Sequence, residues 1–176
     1  MRMESNLEHK LATAKIGEPL ALQLSERDEN RLANTALAEQ ARATLDIVSL
    51  DLDKAIFDTI EFYDAVKMLA TNSRKAKIRI LISDSQKIIK QGHRLLELAR
   101  RLSSYIEVRV QGKRFKDFNE SWLIADATAW IRRPYADRYQ AEVDFSAARK
   151  LREVLQDFDA MWNEAIHDPN LRRLNL

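Results

Sequence analysis

The sequence predicts one α/β domain: a mixed, mostly parallel sheet with helices on both faces. Three observations predict it. Short β-branched runs alternate with amphipathic stretches between residues 18 and 110, a β-α-β-α-β order that implies parallel strands joined by right-handed helical crossovers. Two apolar runs then flank a short polar turn at 126–128, as in a hairpin. A final stretch places large apolar residues at helical spacing and closes the chain. At 176 residues, the length suits a single domain with a substantial core.

Taken in order, residues 1–17 read as an N-terminal helical extension, with Met3, Leu7, Leu11 and Ala14 on one side. Gly17 and Pro19 end it. Leu20, Leu22 and Leu24 alternate as a short strand at a sheet edge. Ser25 caps a helix to about Ala43 that turns Leu32, Ala36, Leu37 and Ala41 inward. Leu45–Leu50 is a buried strand. Asp58-Thr59-Ile60-Glu61 fits a capping box, opening a helix with Ile60, Tyr63, Val66 and Ala70 on its apolar face. Ile78–Ile82 is a second strand, and a helix from Lys87 to Leu102, interrupted at Gly92, follows it. Ile106, Val108 and Val110 alternate in a third. After the hairpin comes a further strand, Gln140–Phe145. Ser146 then caps a helix carrying Leu151, Val154, Leu155, Phe158, Met161 and Trp162, which Asp168-Pro169 stops. The domain spans 18–168, and 169–176 forms a loose tail.

Composition narrows the function classes. Apolar residues make up 45% and charged ones 32%, as in ordinary water-soluble domains. No run nears the roughly 18–20 apolar residues of a membrane helix, and the start has no secretory pattern, so a cytoplasmic protein with no membrane contact is expected. With no cysteine, disulfides, thiolate nucleophiles and Cys-based zinc sites are excluded. Three glycines, none in a strand-to-helix turn, rule against a phosphate-cradling nucleotide loop. His9, His93 and His167 lack metal-ligand spacing, and no cofactor is implied.

The net charge is only +2, but residues 72–116 carry 13 Lys/Arg against three acids, while the rest carries 16 against 24. Such asymmetry suits a phosphate-bearing partner, contact between copies, or simply a solvated face.

The order of features from 118 to 166 resembles the catalytic half-domain of the phospholipase D superfamily. There a His-x-Lys-x4-Asp motif leads into a hairpin, a small-residue turn, an Asn, a downstream Glu and an aromatic helix. Matching the motif's Asp to Asp126 makes Trp122–Ala125 the preceding run and Ala129–Ile131 the second hairpin strand. Glu142 becomes the downstream Glu and Phe158–Trp162 the closing Phe-x3-Trp. The resemblance covers about residues 26–166 and implies a single phospholipase D-like half-domain. The chain also looks like degenerate domains in uncharacterised proteobacterial proteins (DUF7931-like), some attached to acetyltransferases, which makes an acetyltransferase one conceivable protein partner.

The departures set the functional expectation. Asn119 stands where the nucleophilic His belongs, Ser121 where the Lys belongs, and Arg132-Arg133-Pro134 replaces the small-residue turn. Without an imidazole the family's covalent attack on phosphorus is lost, so no catalytic residue is expected. The candidate phosphate site comprises Asn119, Ser121, Asp126, Arg132, Arg133 and Glu142, with Lys113, Arg114 and Lys116 approaching from the preceding loop. Arginine forks match phosphate oxygens. The alternatives are that Arg132 and Arg133 pair with Asp137, Glu142 or Asp144, or that Asp117, Glu120, Asp126 and Glu142 hold a metal. Asp51, Asp53 and Asp84 read as caps and turn formers, and His93 as a surface or capping residue. Trp122, Trp130 and Trp162 pack a core or stack on bases. The leading expectation is a non-catalytic binding or regulatory module for a phosphate-bearing ligand or nucleic acid. A structural dimerisation domain and a carboxylate/metal phosphodiesterase are the alternatives. Because the family pairs two half-domains around one site, a homodimer is expected with 118–145 near its interface.

Overall fold

The computed structural model describes residues 2–173, with side chains from residue 6 onward. Helix α1 (Arg2–Thr13) leads to strand β1 (Ala21–Leu24), α2 (Arg27–Gln40) and β2 (Thr44–Ser49). A one-turn α3 (Lys54–Phe57) and α4 (Ile60–Asn72) precede β3 (Lys77–Ile82), and α5 (Gln86–Gln91) and α6 (Arg94–Arg101) precede β4 (Ile106–Val110). After a 3-10 turn (Lys113–Phe115) come β5 (Ser121–Ala125), β6 (Ala129–Arg133) and β7 (Ala141–Asp144), then α7 (Ala148–Asn163) and α8 (Pro169–Arg172).

The strands form one seven-stranded sheet in the order β1-β7-β6-β5-β2-β3-β4. Only β2–β3 and β3–β4 are parallel. The pairs β2–β5, β5–β6, β6–β7 and β1–β7 are antiparallel. The sheet is therefore mixed but mostly antiparallel, not mostly parallel as expected. The βαβ half supplies the parallel pairs, and the hairpin docks beside β2 in the reverse direction, so that from β2 through β5, β6 and β7 to β1 the strands alternate in direction. β1 lies at the edge, as its short alternation predicts.

Alternation along each strand divides the core. On one face Leu45, Ile47, Ile78, Ile80, Leu123, Ile131 and Val143 pack against Leu37, Phe62, Val66, Leu95 and Leu98 of α2, α4 and α6. On the other, Val48, Leu81, Trp122, Ile124 and Trp130 meet Leu151, Phe158, Met161 and Trp162 of α7. That second face is also charged. Arg79 donates to the buried Asp46 at 2.6 Å and to Asp159 at 2.7 Å, with its guanidinium 4.5 Å from the Phe158 ring. Burial pushes the Asp46 carboxyl up, against the pull of Arg79. Arg109 lies 4.2 Å from the Trp162 ring and donates to the Trp162 carbonyl at 3.0 Å.

Several local expectations shift. The α2 cap is Glu26, whose amide, like that of Ser25, donates to Glu29. Its buried side is Asn30, Ala33, Asn34, Leu37 and Ala38, so Leu32 and Ala36 are only half-buried. Thr59 caps α4 by accepting from the Phe62 amide at 3.2 Å, and Ile60 is exposed. The break at Gly92 is present: φ there is 76°, a conformation side chains disfavour. Ala147, not Ser146, occupies the α7 cap. Nor is the tail loose from 169. Asp168 caps α8, Leu171 is buried, and Arg100 donates to the carbonyls of Asn170 and Leu171. The Met3 side chain and residues 174–176 lie outside the described residues. No helix among the described residues is long and apolar enough to cross a membrane.

Candidate functional site

The carboxyl ends of β2, β3 and β4, the start of β5 and the end of β6 meet at one end of the sheet. There the chain gathers buried polar side chains: Ser49, Ser85, His93, Gln111, Ser121 and Arg133. Ser121 lies directly opposite Arg133 across the β5–β6 ladder, so the two share a face. Arg133 thus sets a cation directly opposite Ser121. That guanidinium is largely committed. It donates to the Arg138 carbonyl at 2.8 Å and the Ala136 carbonyl at 2.7 Å, stands over the Tyr139 ring, and has Asp53 3.8 Å away. Burial lowers its proton affinity, opposed by Asp53. Burial likewise raises the Tyr139 phenol, which bonds to Asp53 at 3.2 Å. Arg133 fixes the 134–140 loop.

The other expected site residues scatter. Arg132, next along β6, points to the opposite face and forks onto Glu120 at 2.8 and 2.6 Å. Glu120 also accepts from the Trp122 indole at 2.7 Å. Burial works against that carboxylate, but the bonds outweigh it and hold Glu120 below its usual range. Neither arginine pairs with Asp137, Glu142 or Asp144. Asp126 sits at the far end of β5, about 17 Å from Ser121 at ~3.3 Å per residue, and accepts from the Arg42, Ala43 and Thr44 amides at 2.8–2.9 Å. It pins the hairpin turn to the start of β2, and both it and Ala127 take left-handed backbone with φ 51°. Asp126 therefore does not join Asn119 and Ser121, and neither does Glu142, which lies on β7 opposite Arg132 and shares its face.

Asn119 is exposed and its carbonyl accepts from the Ala136 amide. Lys113 and Lys116 are exposed on the adjoining 3-10 turn and form no ion pair among the described residues, whereas Arg114 reaches Glu164 at 2.6 Å. This turn is set close to α7. A Cβ on Gly112 would come within 2.6 Å of the Glu164 carbonyl, so glycine is required there. The basic segment 72–116 does not share one end: Arg74, Lys75 and Lys77 stand at the amino end of β3, and Lys113–Lys116 beyond the carboxyl end of β4.

Around this end, Asp53 caps α3, Asp84 accepts from the Gln86 amide, and Asp51 pairs with Lys87. His93 is buried rather than superficial. Its Nδ1 accepts from the Leu95 amide and its Nε2 meets the Leu52 carbonyl at 3.1 Å. Among the described residues no group of three or more His, Asp or Glu is placed to hold a metal.

A separate groove of about 610 Å³ opens on the α7 side, between that helix, the β5–β6 strands and the 3-10 turn. Sequence reasoning placed Arg114, Arg132 and Glu142 with the phosphate site, yet all three line this groove. It passed over Lys150, whose ammonium stands 5.8 Å from the Trp130 ring centroid. Its signal is faint, one of two adjacent cations, Arg149 and Lys150, in the first turn of α7.

The fold is shared with a phospholipase D family member and with an archaeal chromatin protein. Nuc from Salmonella typhimurium, a phospholipase D family member, superposes with a TM-score of 0.60 at 13% identity, covering 85% of this chain and 97% of Nuc. NucT from Helicobacter pylori gives 0.62 at 15% identity, covering 86% and 100%. TrmBL2, an archaeal chromatin protein described with a novel mode of DNA binding, gives 0.60 at 16% identity; 93% of this chain is covered, which spans 60% of TrmBL2. No curated protein matches the sequence. A family model covers residues 26–174, and the chain belongs to the DUF7931 family, a domain of unknown function with a phospholipase D-like fold.

Proposed function

We propose that this protein is a non-catalytic phospholipase D-like module that holds the phosphate backbone of a nucleic acid at the carboxyl end of its sheet. The observation that carries the proposal is the division of cations there. Arg133, Arg132 and Arg114 are spent on carbonyls and carboxylates, while Lys113 and Lys116 stand exposed, without an ion pair among the described residues, on the segment that leads to Asn119. Amide and ammonium groups bind phosphate oxygens without attacking phosphorus. Asn119 and Ser121 offer no imidazole, and His93 has both ring nitrogens engaged. The likeness to TrmBL2 supports a DNA ligand by analogy of fold.

The test is fluorescence anisotropy with a labelled 20-mer DNA between 50 and 200 mM salt. Binding should weaken steeply with salt, and Lys113→Glu with Lys116→Glu should reduce affinity at least tenfold and flatten that dependence. Salt-independent or undetectable binding overturns the reading, as does hydrolysis of a generic phosphodiester. A second reading, dimerisation at the same end, is favoured by Leu50 (42% exposed) and Tyr135 (54% exposed), apolar side chains beside it. Light scattering separates the two: a dimer that binds no DNA supports the second.

A further inference from the structure

The groove on the α7 side has the chemistry of a base pocket, and this inference rests on the nucleic-acid reading above. Its floor is Trp122 and Trp130, set edge to face at 6.2 Å. Phe118, 5.0 Å from Trp122 and perpendicular to it, forms a wall. The Trp130 side chain is buried, 4% exposed, and its indole N–H has no acceptor among the described residues. A buried donor left unpaired costs about 1–3 kcal/mol, a cost that a ligand supplying a carbonyl would remove. Trp122 differs in this respect, since its own N–H is satisfied by Glu120.

Charge is distributed to match. Within the groove Arg132 is neutralised by Glu120, and Lys150 faces Glu142 at 4.0 Å, leaving an aromatic site of little net charge. Immediately outside it, on the turn that contributes Phe115, lie the unpaired Lys113 and Lys116. A nucleotide divides in the same way: a neutral, planar, hydrogen-bonding base and an anionic phosphate one sugar away. Lys150 covers the Trp130 ring on a flexible, half-exposed stem, so it can swing aside and follow the phosphate.

We propose that this groove takes an unpaired base of single-stranded nucleic acid, stacked over the Trp122–Trp130 floor beside Phe118, while the adjoining phosphates lie on Lys113 and Lys116. The donor favours a base with a ring carbonyl, and Asp157 and Glu142 on the rim accept from an exocyclic amino group. Cytosine and guanine carry both groups, and base–aromatic stacking of this kind tolerates any sequence to some degree.

The test follows the tryptophan indole signals of the ¹⁵N-labelled protein, assigned with Trp130→Phe, during titration with an eight-residue oligo-dC and with an abasic eight-mer of the same charge. Oligo-dC should shift the Trp130 indole and bind at least tenfold tighter than the abasic strand. Trp130→Phe, which keeps an aromatic ring but lacks the N–H, should remove most of that advantage, whereas Lys113→Glu with Lys116→Glu should weaken both strands alike. If both strands bind equally with the Trp130 signal unmoved, the base pocket is wrong while backbone binding stands. If neither binds, the backbone reading fails and the pocket with it. Tighter binding of duplex than of either strand also overturns the pocket.

Discussion

The two faces of the sheet are built on opposite principles. Toward α2, α4 and α6, the strands present mainly aliphatic side chains, with Ser121 and Arg133 at one end, and the covering helices answer with Leu, Val and Phe and with the buried Asn30 and Asn34 of α2. Toward α7, the same strands present Asp46, Arg79, Arg109 and Arg132 between the tryptophans. A single helix covers this side by stacking Phe158 and Trp162 on guanidinium groups. The first face is held by area removed from water, which is directionless. The second is held by ion pairs and cation–π contacts, which depend on geometry and on both partners being present. Adaptability follows the same division: the open aromatic groove is on the charged face.

The largest effect that sharpens this contrast is on the apolar side. Phe62 is fully buried and meets Phe57 edge to face at 5.3 Å; Phe62→Ala should cost about 3–5 kcal/mol in urea unfolding, and no second substitution nearby should recover it. On the charged side, Asp46→Ala should cost about 3 kcal/mol by leaving Arg79 under-paired, although Asp159 still holds one nitrogen. There the double change Asp46→Leu with Arg79→Met should recover most of the loss, because an apolar pair replaces both charges together. Failure of that rescue would mean the two faces do not differ in kind.

A smaller effect comes from pH. Burial lowers the His93 pKa from its ordinary 6.5, with Asp58 and the Leu52 carbonyl pulling the other way. The unfolded chain therefore binds a proton before the folded one does. The His93 contribution is whole above about pH 6.5 and is lost as pH falls from there toward the folded value, by at most about 1.4 kcal/mol per pH unit. His93→Gln should flatten the stability profile between pH 5 and 7 relative to the parent. An unchanged slope would show that the ring is not kept neutral by the fold.

Much of this was written into local sequence. Alternation marked each face of β3 and β4, Gly92 marked the break between α5 and α6, and Asp126-Ala127-Thr128 marked the hairpin turn. The direction in which the hairpin docks was not legible, since pairing of β5 with β2 joins residues some 75 positions apart and leaves no periodic trace. The inner side of α2 was misjudged because Asn30 and Asn34 are buried there: their amides bond carbonyls at Glu26, Tyr139 and Asn30, and a hydropathy pattern counts asparagine as outside. The candidate site is dispersed for a related reason. Arg132 and Arg133 are neighbours in sequence, yet a strand sends neighbours to opposite faces, and only the three-dimensional partners, Glu120 for one and the 136–138 carbonyls for the other, show that neither is free. The position of Asn119 and Ser121 at the carboxyl end of the sheet, by contrast, follows from the motif's place ahead of the hairpin.

One feature at the opposite rim has a practical bearing. The family match begins at residue 26, whereas β1, at 21–24, already completes the sheet by pairing along all of β7. A fragment trimmed to the matched boundary would bare the main-chain donors and acceptors that alternate residues of β7 turn toward β1, an edge ready to stitch to another molecule. Trimming at that boundary would turn a shielded margin into an adhesive one, and any self-association seen in such a fragment would report the missing strand rather than a native assembly.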